Sequence, residues 1–372
     1  MKEIASREKD EYYMKRALSL AVLGQGETSP NPMVGCVLVK EGRVIGEGYH
    51  HRCGGDHAEV EALKDAATRG EDVRGATAYV TLEPCCHFGR TPPCAQRLVS
   101  EKIARVVAAA SDPNPKVKGG GLAVLREAGI EVSCPCLEAE ARWLNRGFIR
   151  VQTLGRPWVT LKAAASLDGR MALSNGESQW ITGLEARTEA HRIRASHDAV
   201  LVGVGTVLKD DPELTVRHVE GRNPRRVVMD SQLQTPTDAK AVTGDGGCLI
   251  LTASKDAARK KRLEDAGARV IALPEKDGHV DLNAALSCLA QEGILTLMVE
   301  GGPRLLTAFM EKELGDWISI FIAPKIMGDG PGLGTGLSFA SVAETLKLKG
   351  LQARRVGEDL LIEGRFTCSP DL

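Results

Sequence analysis

A chain of 372 residues has room for two domains of ordinary size, each able to bury its own core. Its 48 Lys and Arg face 49 Asp and Glu, and residues 1–150 carry 21 basic and 20 acidic side chains, so neither half has the surplus of cations that duplex nucleic acid or an anionic membrane requires. No stretch approaches the roughly 20 apolar residues of a membrane span, and the charged start MKEIASREKDEYYMKRAL lacks the apolar segment of a secretory signal, which points to the cytoplasm. In that reducing compartment the ten Cys are expected to bind metal or lie buried and not to form disulfides.

In chain order, Tyr12, Met14, Ala17, Leu18, Leu20 and Ala21 fall at helical spacing and predict a helix over 9–24, broken by the proline-bearing GETSPNP. The β-prone runs Val34–Lys40 and Arg43–Tyr49 flank Glu41 and Gly42, the pattern of a hairpin. AEVEALKDAA from Ala58 is helical. Ala76–Leu82 then reads as a strand, CAQRLVSEK as a helix, Arg105–Ala110 as a strand, GLAVLREAGI as a helix and Ile130–Ser133 as a short strand. Residues 1–135 thus predict an α/β/α layered domain, left through a helical connector over 137–151. A second alternating series starts at Pro157, with WVTLKAAAS, AVLVGVG, RRVVMD, LILTA, LTLMVEGG and ISIFIAPKI as strands and GLEARTEAHRIRASH as a helix. The change of series near 145–155 divides the chain into two α/β domains, 1–147 and 148–372.

His57 and Glu59 open a helix as H-A-E, and Cys85 and Cys94 each follow a proline at a helix entry. Singly these have ordinary explanations: a capping histidine, a solvated first-turn carboxylate, small buried hydrophobes. Together, one imidazole and two thiolates make a three-ligand zinc set with a fourth position for water, the composition of a catalytic site. Zinc brings the pKa of its water toward about 7. Attack on an amidine-like ring carbon, with Glu59 carrying the proton to the departing amine, is hydrolytic deamination. Helix N-termini would favour both thiolates. The common deaminase spacing P-C-x-x-C would put the second cysteine at 88, which is Phe88, so the longer step from Cys85 to Cys94 is a departure.

The segments SPNPMVGCVLV (29–39), GYH (48–50), HAEVEAL (57–63) and TLEPCCHFGRTPPC (81–94) resemble the deaminase half of the bifunctional riboflavin-biosynthesis deaminase/reductase family, which uses this longer spacing. The resemblance implies a cytidine-deaminase-like domain, zinc held by His57, Cys85 and Cys94, Glu59 as proton shuttle, and Asn31 in the loop that holds the pyrimidine. The familiar residue at position 86 is serine. Cys86 adds a rival thiolate here and is left outside the ligand set.

In the second half, VGVGT (202–206) and VEGGP (299–303) place glycines after β-like runs, where backbone N–H groups can approach phosphate. Neither is the G-x-G-x-x-G of a classical dinucleotide fold, and tight turns explain them as well. Arg194 and Arg217 flank the glycine strand with the bidentate reach that phosphate binding wants, or belong to a solvated face. LKAAASLDGR (161–170), GESQWIT (176–182), GVGTVLKDDPELTVR (203–217) and VEGGP resemble the reductase half of the same family, similar in fold to dihydrofolate reductase, and this implies NADPH. Carried over by position, Ala164, Trp180, Thr206, Asp210, Ser231, Gly302, Pro303, Arg304, Leu305 and Leu306 lie along NADPH. Lys162, Ser178, Arg194, Leu214, Arg217 and Glu300 face the substrate. Lys162 and Asp210 are candidate polar anchors near the hydride path, although DDP is also a good turn sequence.

The resemblance implies two consecutive reactions on a phosphoribosylated diaminopyrimidinone: hydrolysis of an exocyclic amine to give the uracil, then NADPH reduction of the ribosyl C1 to a ribityl chain. The partner is then a small molecule, with no nucleic acid and no membrane, and a homo-oligomer stays open. Two rival readings remain. A polynucleotide deaminase would want cations and stacking aromatics along a groove, and aromatics are 4% of this chain. A non-catalytic, zinc-stapled binding protein would need a fourth protein ligand such as Cys86 or Cys53.

Overall fold

The computed structural model describes residues 2–86, 93–114 and 117–372, with side chains from Arg7 onward. Residues 87–92 of the expected cysteine motif lie outside the described residues. The chain divides into two compact units, the first ending at Gly155 and the second running from Arg156 to Asp371.

The first unit contains α1 (Lys2–Val22), β1 (Gly35–Lys40), β2 (Arg43–Tyr49), α2 (Ala58–Thr68), β3 (Thr77–Val80), α3 (Cys94–Ser100), β4 (Arg105–Ala108), α4 (Gly120–Glu127), β5 (Glu131–Ser133), α5 (Glu138–Leu144) and α6 (Arg146–Leu154). Its strands form one sheet in the order β2-β1-β3-β4-β5, antiparallel across β2, β1 and β3 and parallel from β3 to β5. Side-chain alternation along β1 builds the layers. Cys36 and Leu38 pack with Ala62, Leu98 and Leu125 of α2, α3 and α4, whereas Val37 and Val39 pack with Met14 and Ala17 of α1 and Ala141 of α5. The expected α/β/α layering is therefore present. Gly48 seats α2, because a Cβ there would fall 2.4 Å from the backbone nitrogen of Ala62. The boundary expected at 147/148 falls inside α6, whose Phe148 and Ile149 are buried; the helix ends at Gly155, in the left-handed region at φ 67°.

The second unit contains β6 (Trp158–Ser166), α7 (Leu184–Ala195), β7 (Ala199–Gly203), α8 (Val204–Asp210), β8 (Arg225–Met229), α9 (Lys240–Thr243), β9 (Cys248–Thr252), α10 (Ala257–Asp265) and β10 (Ala268–Ala272). A small ribbon of β11 (Glu275–Lys276) and β12 (His279–Val280) follows, then α11 (Leu282–Gln291), β13 (Thr296–Glu300), α12 (Pro303–Glu311), β14 (Trp317–Ala323), β15 (Leu348–Val356) and β16 (Asp359–Phe366). The large sheet has the order β10-β9-β8-β7-β13-β6-β14-β16-β15, parallel from β10 to β14, with β16 and β15 added antiparallel. Helices cover both faces, which is why its central strands read as unbroken apolar runs. Leu201 and Val299 pack with Leu286 and Phe309 on one side, and Val200 and Val202 with Val207 and Leu263 on the other. From β7 the chain builds outward through β8, β9 and β10, whereas β13 and β14 flank β6, so connections diverge beside β7 and β13. At such a switch point the carboxyl ends of parallel strands leave a crevice for ligands.

Candidate active sites

In the first unit the start of α2, the turn after β3 and the start of α3 converge. His57 is the N-cap of α2, with extended backbone (φ -75°, ψ 160°) and no side-chain bond to the helix N-terminus; Glu59 follows in the first turn and is 3% exposed. Cys94 opens α3, and its backbone N–H donates to Cys85 Sγ at 3.3 Å. His57 Nδ1 lies 3.2 Å from Cys94 Sγ and 3.6 Å from Cys85 Sγ, and the three donor atoms all fall within 4.8 Å of one another. A tetrahedral zinc with bonds of about 2.0–2.3 Å needs donors about 3.5–3.8 Å apart, so this donor set fits one ion. Hydrogen bonds from Cys94 and His57 push the Cys85 thiol down to about 4, while the hydrogen bond with Cys85 and burial push Cys94 up. Burial pushes the Glu59 carboxyl up, as suits a group that must take and return a proton. Cys86 Sγ turns instead toward the Val117 carbonyl at 3.9 Å and Cys53 is exposed; neither joins the donor group found among the described residues.

Asn31 is held by a residue to which the sequence assigned no role. His50 Nδ1 donates to the Asp56 carbonyl at 2.9 Å, so its Nε2 accepts from Asn31 Nδ2 at 3.0 Å and the amide is fixed in one orientation. His50 is buried, which lowers its pKa and keeps it neutral, and its ring stands edge-on to His57 at 5.5 Å. The GYH segment was its signal.

In the second unit a cavity of about 1790 Å³ runs along the carboxyl ends of β6, β7, β8 and β13. It exceeds the roughly 300–1,000 Å³ of a single-ligand pocket, and so has room for a cofactor and a substrate together. Lys162, Ala164, Ser178, Trp180, Arg194, Thr206, Asp210, Leu214, Arg217, Ser231, Glu300, Gly302, Pro303, Arg304 and Leu305 all line it. Leu306 does not. It is fully buried in the core with Phe309, because the helical period of α12 turns 306 and 309 toward the sheet once 302–305 have passed the cavity mouth. Gly302 is the N-cap of α12 and has nothing within 4 Å of where a Cβ would stand. That open helix start, with free N–H groups and the positive end of the dipole, fits a cofactor phosphate without a G-x-G-x-x-G motif.

The polar centre of the cavity is a buried pair. Arg194 Nε and Nη2 donate to Glu300 Oε1 and Oε2 at 2.7 and 2.9 Å, and Arg194 Nη1 donates to the Thr215 carbonyl at 2.6 Å. Lys162 Nζ lies 3.9 Å from Glu300 Oε2. Burial works against the Glu300 carboxylate, but Arg194 and Lys162 outweigh it and hold the group at about 2; burial also lowers Lys162. Arg194, read from sequence as a phosphate fork, is therefore engaged by Glu300. Arg217 keeps open donors: its Nη1 meets Glu213 at 2.9 Å and Thr215 Oγ1 at 3.0 Å, and its side chain is 44% exposed. The turn role of DDP belongs to Asp211, which caps α8 at φ 39°, while Asp210 stays on the cavity wall. Two further lining residues share the α7 face with Arg194. Arg187 covers the Trp180 ring at 4.2 Å, and His191 Nδ1 accepts the Arg217 backbone N–H at 3.1 Å. The spacing 187, 191, 194 was the available signal.

Residues 7–110 match the cytidine and deoxycytidylate deaminase zinc-binding region, and residues 157–362 match the RibD C-terminal domain. The riboflavin biosynthesis protein RibD of Aquifex aeolicus is 47% identical over 96% of this chain and 98% of its own length. The chain belongs to the RibD family. RibD of Escherichia coli is 44% identical over 95% of this chain and 98% of its own. Acinetobacter baumannii RibD superposes with a TM-score of 0.87 at 37% identity, covering 97% of this chain and 99% of that one. The Thermotoga maritima diaminohydroxyphosphoribosylaminopyrimidine deaminase/5-amino-6-(5-phosphoribosylamino)uracil reductase does so at 0.87 and 38%, covering 97% and 99%. As in other RibD chains, a cytidine-deaminase-like domain precedes a dihydrofolate-reductase-like one. Among the described residues no helix is long and apolar enough to cross a membrane.

Proposed function

We infer that this chain is a bifunctional enzyme of riboflavin biosynthesis: a zinc-dependent deaminase of a phosphoribosylated diaminopyrimidinone joined to an NADPH-dependent reductase of the deaminated product. The observation that carries this reading is one RibD-family chain holding both the His57, Cys85, Cys94 group beside buried Glu59 and a separate cavity centred on Lys162 and Glu300. His57, Cys85 and Cys94 would hold the metal. Zinc, when bound, supplies the Lewis acidity that makes water a nucleophile at neutral pH. Glu59 takes the proton of that water and delivers it to the departing amine, while Asn31, fixed by His50, holds the pyrimidine edge.

NADPH supplies the hydride. In the second unit Gly302 and the start of α12 would hold the cofactor phosphates, and Trp180, Thr206, Asp210 and Ser231, which line the same cavity, would hold the rest of the cofactor. Glu300, held ionised by Arg194, orients the ribose. Lys162, whose pKa is lowered by burial, would give a proton to the ring oxygen released when the ribosyl C1 is reduced. Arg217 holds the substrate phosphate. None of the ten cysteines is in a disulfide, which suits the cytoplasm. The test is to incubate the chain with the diaminopyrimidinone ribosyl phosphate, with and without NADPH. Ammonia should appear in both cases, and NADPH should be oxidised only as the deaminated product forms. NADPH oxidation without ammonia release would sink the order of reactions.

A further inference from the structure

Two residues before Cys85, Glu83 is 3% exposed and lies outside the group of metal donors. Its carboxylate accepts four backbone N–H groups: Oε2 from Asp112 at 3.2 Å and Gly119 at 3.0 Å, Oε1 from Gly121 at 3.0 Å and Leu122 at 3.2 Å. Three of these donors sit at the entry of α4, where a helix leaves its first N–H groups without carbonyl partners. One buried carboxylate thus caps α4, on the favourable end of its dipole, and ties it to the segment that carries Cys85. The Glu83 backbone N–H donates in turn to the Ala110 carbonyl at 2.9 Å, just beyond β4.

The contact is close as well as polar. A Cβ on Gly121 would stand 1.8 Å from the Pro84 carbonyl oxygen, and one on Gly120 would stand 2.8 Å from Cys86 Sγ. The run Gly119-Gly120-Gly121 therefore lets the start of α4 press against the residues on both sides of Cys85. Beside it Cys86 Sγ turns to the Val117 carbonyl. Of two adjacent thiols, the clamp leaves Cys85 facing His57 and Cys94 and holds Cys86 off.

We propose that Glu83, working through the glycine run of α4, is a positioning residue that sets Cys85 and not Cys86 in the zinc ligand set. The proposal rests on the zinc reading above. Partners that orient metal ligands from outside the coordination shell typically change metal affinity by about 10–100-fold. In Glu83→Gln the amide keeps one oxygen, and its NH₂ faces two N–H donors whichever way it turns, so half the clamp is lost.

The test uses the full chain, with zinc affinity read by competition with a chelator and the ligand set read from the thiolate absorption bands of the cobalt-substituted protein. For Glu83→Gln the zinc dissociation constant should rise by about 10–100-fold and the cobalt bands should change, while NADPH oxidation on supplied deaminated intermediate stays at the wild-type rate. Gly121→Ala alters no charge and forces α4 off Pro84; it should reproduce the loss of affinity, and it carries the comparison if Glu83→Gln does not fold. Wild-type zinc affinity and cobalt spectrum in either variant, with only a lowered melting temperature, would make Glu83 a purely structural residue and overturn the proposal. A wild-type chain that binds no zinc would overturn the underlying reading instead.

Discussion

Burial raises the Glu59 carboxyl, and His57, Cys85 and Cys94, the residues grouped as metal donors, also act on it. Glu59→Gln should keep stoichiometric zinc while ammonia release falls by at least about 10²-fold, the lower end of a general acid–base contribution. Near-normal ammonia release in that variant would remove Glu59 from the mechanism. Cys94→Ala should instead lose zinc and deamination together, as metal analysis would show. The donor triad was legible in sequence because a ligand set is a pattern of residue types around predictable strand and helix ends. The engagement of Arg194 was not, since Glu300 lies 106 positions away and only the fold brings the two together. The burial of Leu306 was not legible for a different reason: a contiguous run carried over by resemblance ignores the helical period that turns Leu306, Phe309 and Met310 inward.

Helix α7 presents Arg187, His191 and Arg194 to one cavity, and its stability is tied to the charges there. Arg194→Ala would leave Glu300 buried without its fork, and breaking such a pair costs about 3–5 kcal/mol, readable in urea unfolding of the second unit. A loss below about 1 kcal/mol would mean that Glu300 finds water. The pH dependence has a definite sign. Burial, with Arg194 and His218, lowers His191 from 6.5 to about 4, so an unfolded chain takes up that proton first and stability drops as pH falls from 6.5 toward 4. Glu300 at about 2 against 4.5 in an unfolded chain removes further stability as pH falls below 4.5. The melting temperature of the second unit should therefore plateau above about pH 6.5 and decline below it. A maximum near pH 5 would contradict the His191 assignment, and no further decline below pH 4.5 would contradict that of Glu300. Among the elements, the hairpin of β1 and β2 and the central strands of the second sheet were readable from alternation and unbroken apolar runs. The β15 and β16 hairpin was not: β15 is an exposed edge strand, LKGLQARRV, whose charges protect an open edge and erase the hydrophobic pattern.

At the scale of the whole molecule, two chemistries occupy two units whose candidate site residues do not cross Gly155. The two-domain plan was legible because the β-α alternation restarts at Pro157. The position of the boundary was not legible, because the connector is helical and gives no compositional break: α6, with Phe148 and Ile149 buried, belongs to the first compact unit. Residues 1–155 expressed alone should release ammonia from the diaminopyrimidinone and never oxidise NADPH. The most direct measurement strips zinc from the full chain and follows both reactions. Ammonia release from the diaminopyrimidinone ribosyl phosphate should vanish and return when zinc is restored, while NADPH oxidation on the supplied deaminated intermediate continues at its original rate throughout. Loss of both activities on chelation would mean one composite site and would contradict the account.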